Sequence, residues 1–188
     1  MANLQTTYAG LNLRNPFIIS SSGLTSSVER IRKLDSLGAG AIVLKSLFEE
    51  QILFEVGELL ESSDYPEALD YVKTYTTDNQ VNDYLNLIRE AKKASSVPII
   101  ASINCVSGTG WLDFAAKIEE AGADAIEINI FVLPIDREKD AKDYEILYYE
   151  ILDGLRKRLS IPLIFKIGSQ FTNPTYIVNQ LYYRKASA

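Results

Sequence analysis

GADAIEINIF, residues 122–131, decides the fold. Ile126, Ile128 and Ile130 recur at every second position, the period of a β-strand, and Glu127, Asn129 and Phe131 stand between them. A strand with one wholly aliphatic face packs that face against helices. Its other face carries a carboxylate and an amide, so it points where polar groups have work to do. The preceding Ala121-Gly122-Ala123-Asp124 reads as a turn that closes a helix and drops the chain straight into the strand.

The same unit recurs along the chain. LGAGAIVLK (37–45) echoes AGADAIEIN (121–129), and SVPIIASIN (96–104) echoes SIPLIFKIG (160–168). Apolar runs predict strands at 17–22, 41–46, 98–104, 125–131 and 162–168, and helical spacing predicts helices at 27–37, 80–94, 111–120, 145–159 and 175–183. Near-continuous apolar strands alternating with amphipathic helices imply an α/β fold with a parallel sheet covered by helices. The alternating echoes suit a (β/α)8 TIM barrel, whose interior is filled by alternate strands. YRKASA (183–188) occupies the place of SLGAGA (36–41), the turn that feeds the next strand. One domain, 1–188, supplying about the first five βα units of such a barrel is therefore expected, with the edge of the fifth strand open and self-association into a homo-oligomer as the consequence.

Composition narrows the function. With 188 residues, 47% of them hydrophobic, the chain can bury a core, and a net charge of −6 without a Lys or Arg run excludes nucleic acid and anionic membranes as partners. No stretch approaches the ~20 apolar residues of a membrane span, and MANLQTTYAG has no signal-peptide pattern, so a cytoplasmic protein is expected. Cys105 is the single cysteine and histidine is absent, which excludes an internal disulfide, His-based triads and the usual zinc sites; no metal is expected.

Strand parity then selects candidate site residues. If Ile126, Ile128 and Ile130 meet the helices, Glu127, Asn129 and Phe131 face the barrel interior, and the same alternation turns Lys45, Ser102, Asn104 and Lys166 inward near the carboxyl ends of their strands. That end is the catalytic mouth of such barrels. Two lysines and two amides gathered there suit an electron-rich heterocycle whose reduced form is anionic. The plainer alternative is a polar layer satisfied by itself, with Lys45 paired to Glu127. Residues 47–97 form a long connection between the second and third strands, with Glu55, Glu58, Glu61, Asp64, Glu67 and Asp70 as an acidic lid or, more plainly, a solvated helix face.

LNLRNPFIISSSG (11–23), GAGAIVLKS (38–46), GADAIEIN (122–129) and PLIFKIG (162–168) together resemble the dihydroorotate dehydrogenases, FMN-dependent (β/α)8 barrels of pyrimidine biosynthesis. SLFEEQI (46–52) and ASINCVS (101–107) place the likeness nearer a divergent, dihydroorotate dehydrogenase-like branch. The resemblance implies FMN as cofactor and a small dihydropyrimidine as substrate. It implies that Ser21, Ser22 and Gly23 lie against the flavin, that Lys45 and Ser46 contact its ring and ribityl chain, and that Lys166 holds its pyrimidine edge. Asn129 would sit between flavin and substrate, with Lys45 also on the substrate side and Asn104 on the matching strand end.

The chain also departs from that family. The position of its Ser or Cys base is Val132, and the second substrate-binding Asn is replaced by Pro134. An acidic lid repels an anionic substrate such as dihydroorotate. In that family the FMN phosphate is held by turns after strands seven and eight, so SGTG (107–110) is only a possible anion cradle here. Cys105 reads as a small core residue, and the tyrosines 65, 71, 75, 144, 148 and 149 as packing. Two further readings stand beside the flavin oxidoreductase: a Schiff-base lyase or aldolase barrel using Lys166 between Phe165 and Ile167, and a flavin- or partner-binding barrel without turnover.

Overall fold

The computed structural model describes residues 2–48, 69–104, 110–130 and 132–188. The chain begins with a hairpin that the periodicity does not announce, β1 (Thr6–Tyr8) against β2 (Leu11–Leu13), with Thr6 opposite Leu13 and Tyr8 opposite Leu11. Its two-residue turn places Ala9 at φ 50° and Gly10 at φ 83°, the left-handed pair whose twist matches that of the flanking strands.

The sheet follows. β3 (Ile18–Ile19), β4 (Ala41–Val43), β6 (Ile99–Asn104), β7 (Ala125–Asn129) and β8 (Leu163–Lys166) lie side by side in that order and all pair in parallel. A short β5 (Leu47–Phe48) continues beyond β4 and also pairs with β6. Helices α1 (Val28–Ser36), α2 (Leu69–Ala94), α3 (Gly110–Glu120), α4 (Ala141–Arg156) and α5 (Pro174–Tyr183) fill the connections. This is the expected curled, partial (β/α)8 barrel. The strands are shorter than predicted, most of all the first, and α2 begins at Leu69 rather than at residue 80.

Side-chain alternation builds two cores from one sheet. Ile42, Ile99, Ala101, Ile103, Ile126, Ile128, Leu163 and Phe165 form a single buried cluster with Ile31, Ile88, Ile118 and Leu152 of the helices. On the opposite face Ala41, Val43, Ile100, Ala125 and Ile164 pack with Leu13, Tyr8 and Leu11 of the hairpin. The hairpin is therefore an apolar floor under the concave face. Truncating Ile126 or Ile128, neither of which has any exposed surface, removes several helix contacts at a typical cost of ~2–5 kcal/mol.

The echoed turns have a shared cause. Gly38, Gly122 and Lys185 adopt φ 99°, 95° and 69°. At each, the following residue's N–H reaches back five positions, Ala39 to Leu34, Ala123 to Ile118 and Ala186 to Leu181, which is the paired helix-closing motif. The third such turn delivers Ser187 and Ala188 beside β8, where Ser187 N donates to Leu163 O (2.7 Å) and Phe165 N to Ala188 O (2.8 Å). The edge of β8 is thus partly covered, which corrects the expectation of a bare edge. Gly40 is fixed by space: a Cβ there would lie 2.1 Å from the Asn15 carbonyl oxygen.

The last turns of α1 and α3 also hold the next αβ connection. Asp35 accepts from Ser96 N (2.7 Å) and from the Ser95 and Ser96 hydroxyls, while Glu119 accepts from Ser160 N (3.0 Å) and Ile161 N (3.1 Å). Burial works to raise both pKa values, but these donors, with Arg14 at Asp35, outweigh it and hold both carboxyls below their ordinary range. A depressed folded pKa contributes stability that is full above the unfolded value, ~4, and is lost as pH falls through the folded one. Asp35→Ala and Glu119→Ala should each cost ~1.5–3 kcal/mol at neutral pH, the magnitude for hydrogen bonds to charged groups. In urea unfolding the difference from the parent should shrink as pH drops below 4; a gap constant with pH would mean that packing, not the charge, is responsible.

Candidate functional site

The carboxyl end of the concave face is polar because one residue is inserted there. Val43 pairs with Ile100 and Leu47 with Ile103, so the chain from β4 to β5 advances four residues while β6 advances three. This bulge brings the Ser46 side chain to the level of Ser102 on β6, a device common beside active sites, while Lys45 lines a groove with Ser26 and with Asp83 and Tyr84 of α2. The bulge also leaves the Ser102 backbone without a strand partner on that side.

Tyr84 of α2 fills the gap. Its hydroxyl accepts from Ser102 N (2.7 Å) and donates to Ser102 O (2.9 Å), replacing two ladder groups with one side chain. The ring is buried against Phe114 at 6.2 Å between centroids. Burial drives its pKa far above the usual tyrosine range, the Ser102 amide opposes this and the Glu127 charge adds to it.

Four side chains then link neighbouring strands across the inner face. The Ser21 hydroxyl meets that of Ser46 (2.9 Å), Ser46 that of Ser102 (2.7 Å), and Ser102 donates to Glu127 Oε1 (3.0 Å). Ser46 N also donates to Ser21 Oγ (2.9 Å). Ser102 has no exposed surface, so its hydroxyl is wholly committed to this chain. Below it, burial and then the Glu127 charge raise the Tyr8 pKa. Glu127 is therefore held by Ser102, and the pairing with Lys45 that the plainer alternative offered is not among the ion pairs of the described residues.

One level higher, Asn104, Asn129 and Lys166 are lateral neighbours on three adjacent strands. Strand spacing makes this row ~10 Å wide. Asn104 Oδ1 is buried without a hydrogen-bond partner among the described residues, an arrangement that costs ~1–3 kcal/mol until a donor arrives. Lys45 and Lys166 are exposed, so their ammonium groups remain open to water; among these polar groups the Asn104 amide oxygen is the buried atom that has no hydrogen-bond partner among the described residues. The lyase alternative asks for a Lys166 amine shielded from water, and Lys166 is open to it.

The other sequence-selected residues separate. Ser22 caps the 3-10 turn Gly23–Thr25 by accepting from Leu24 N (3.2 Å), and Gly23 O receives Ser26 Oγ (2.9 Å), so Ser22 and Gly23 shape the loop while Ser21 joins the serine chain. Val132 is half-buried and packs on the helix-side core. Cys105, Phe131, the SGT of SGTG, Tyr65 and the lid acids Glu55, Glu58, Glu61, Asp64 and Glu67 lie outside the described residues, as do the side chains of Asp70, Tyr71 and Tyr75. Among the described residues no cluster of Asp, Glu or Cys is arranged to hold a metal ion. Sequence reasoning missed Tyr84, whose only signal is a tyrosine on the buried stripe of a helix. Tyr84→Phe keeps the ring but orphans two backbone groups, and should lower stability by ~2–4 kcal/mol in urea unfolding; a loss below 0.5 kcal/mol would mean that water replaces the hydroxyl.

No family model matches this chain. A Thermoplasma volcanium protein named dihydroorotate dehydrogenase B (NAD(+)), catalytic subunit, is 26% identical over 183 residues, covering 92% of this chain and 56% of that protein. A protein of the same name from Thermoplasma acidophilum is 26% identical over 177 residues, covering 89% and 55%. Among solved structures, an IMP dehydrogenase/GMP reductase-like protein from Corynebacterium glutamicum superposes with a TM-score of 0.54 at 15% identity, covering 98% of this chain and 47% of that one, a likeness of fold alone. The chain spans about half the length of the curated relatives it matches; in sequence it is similar to proteins named dihydroorotate dehydrogenase, and in fold it is part of a (β/α)8 barrel.

Proposed function

We propose that this chain is part of an FMN-dependent, cytoplasmic oxidoreductase of the dihydroorotate dehydrogenase kind, and that its polar rim seats the pyrimidine end of the flavin ring. The observation that carries this reading is the row Asn104, Asn129 and Lys166, with the Asn104 Oδ1 acceptor buried and unpaired. A flavin ring edge alternates N–H donors with carbonyl acceptors. The donor would meet Asn104, and the acceptors would meet the amide of Asn129 and the ammonium groups of Lys45 and Lys166. When bound, flavin supplies hydride exchange with a substrate.

The residues of this chain then have distinct tasks. Lys45 and Lys166 place positive charge where the reduced ring is anionic, a preorganised electrostatic contribution. Asn129 orients the substrate against the ring. The serine chain from Ser21 to Glu127 fixes the bulge and so keeps Lys45 in place. Val132 cannot accept a proton, so the proton of a dihydropyrimidine or related substrate leaves by another route than a Ser or Cys at this position.

Because this half of the barrel offers the ring's seat rather than the phosphate's, riboflavin and FMN should bind it with similar, weak affinity, followed by quenching of flavin fluorescence. Lys45→Ala, Asn129→Ala and Lys166→Ala should each weaken binding about tenfold, ~1.4 kcal/mol. Absence of saturable quenching, or parent-like affinity in all three variants, would overturn the assignment. Val132→Cys is the substitution expected to favour dihydroorotate oxidation in a flavin-loaded protein; no gain would mean that the connection at 47–97 also excludes that substrate.

A further inference from the structure

The buried stripe of α4 begins with the wrong residue. Glu145, Tyr148, Ile151, Leu152 and Leu155 form its core-facing side, and helical spacing calls for an apolar residue at each. Glu145 nevertheless sits there at 8% exposure. Its recorded partner is the Tyr149 hydroxyl, donating to Oε2 over a long 3.4 Å. No Lys or Arg of the described residues is ion-paired with it: Arg184 is taken by Asp153, and Lys139 lies exposed at the rim without a carboxylate partner. The amino end of α4 is also satisfied without it, since Asp140 accepts from Lys142 N (2.8 Å) and Asp143 N (3.1 Å) and Asp143 returns a bond to Asp140 N (2.8 Å).

Glu145 lines a cavity of about 240 Å³ between the connections that follow β7 and β8, with Val132, Tyr144, Tyr148 and Phe171 among its walls. Tyr148 is pinned as the floor: its hydroxyl donates to Ile130 O (2.7 Å) and accepts from Gln170 Nε2 (3.4 Å), and its ring meets Phe171 edge-on at 5.2 Å and 76°. A carboxylate this enclosed needs a counter-charge, and aromatic faces attract cations rather than anions. Apolar walls around it favour an organic cation over a hydrated metal ion. At ~30 Å³ per water the cavity equals about eight water volumes, the size of a ligand with roughly eight non-hydrogen atoms.

We propose that this cavity is a binding site for a small organic ammonium ion, with Glu145 as its counter-ion and Tyr144, Tyr148 and Phe171 as its aromatic walls. The site is independent of the flavin reading, because its carboxylate and aromatic walls lie on α4 and the β8–α5 connection rather than on the strand-end row.

Calorimetric titration of the full chain with benzylamine hydrochloride, which has eight non-hydrogen atoms, tests it against the neutral isostere benzyl alcohol and against ammonium chloride. Saturable benzylamine binding is expected, at least tenfold weaker with benzyl alcohol, undetected with ammonium chloride and at least tenfold weaker in Glu145→Gln. Glu145→Leu completes the apolar stripe, so it should abolish binding while raising the thermal midpoint of the unliganded chain. Equal affinity for the alcohol, unchanged binding in Glu145→Gln, or no benzylamine binding to the native chain overturns the proposal. So does a fall of the thermal midpoint in both variants, which would make the carboxylate a structural group.

Discussion

A parallel strand covered on one side by helices must turn alternate side chains outward, and that single constraint organises this molecule. The outward set of β4, β6, β7 and β8 is almost wholly aliphatic and merges with the helices into one core. Everything chemically interesting is consequently confined to the inward set. Along each of those strands the inward set changes character with height: apolar at the amino end, where Ala41, Ile100, Ala125 and Ile164 rest on the hairpin, and polar at the carboxyl end. The hairpin floor is what permits this gradient. Without Leu13 and Tyr8 beneath them, the apolar inward residues would face water, and each buried aliphatic side chain so lost forgoes ~1.5–3 kcal/mol.

The polar end is stabilised by mutual commitment rather than by ion pairs. A bulge in the β4–β5 stretch breaks the ladder beside Ser102, and an inserted residue would ordinarily leave buried backbone groups unpaired. Here one phenol from α2 accepts the N–H and donates to the C=O. The freed serine side chains then join strand to strand until the chain ends on Glu127. A connected network of this kind rigidifies its surroundings. At this end, among the described residues, Asn104 Oδ1 is buried without a partner, which is why the row above the network, and not the network itself, is the better ligand seat.

Much of this was legible in the sequence, for a physical reason. Period-two alternation over β7 is strict, and the register Asn104–Asn129–Lys166 follows from applying that alternation to three strands of similar length. The echoed turns were legible because a left-handed residue after a helix favours glycine, and two of the three have it; Lys185 shows the same turn formed without that signal. What escaped was non-local. The β1–β2 hairpin has three residues per strand, too few for periodicity to register. The bulge depends on a mismatch between two strands separated by more than fifty residues of sequence, and Tyr84 answers a vacancy that no window around residue 84 contains. Exposure misled as well: parity turns Lys45 and Lys166 inward, but an inward lysine at a strand end leaves its ammonium in water.

The two halves of the mouth therefore differ in what they ask of a ligand. Over β6, β7 and β8 the described groups are a buried acceptor, a second amide and one exposed ammonium group, which suits a flat heterocycle with mixed donors and acceptors. Beyond β7 the chain turns at Val132 into an aromatic cavity whose buried charge is negative. A carboxylate at the head of a helix's core-facing stripe costs stability wherever it lacks a partner, because its hydration is lost and the 3.4 Å hydrogen bond from Tyr149, its partner among the described residues, replaces little of it. Leucine at 145 would complete the stripe that Tyr148, Leu152 and Leu155 continue. Val132 packs on the helix-side core and also lines this cavity, so it stands on the border of both regions.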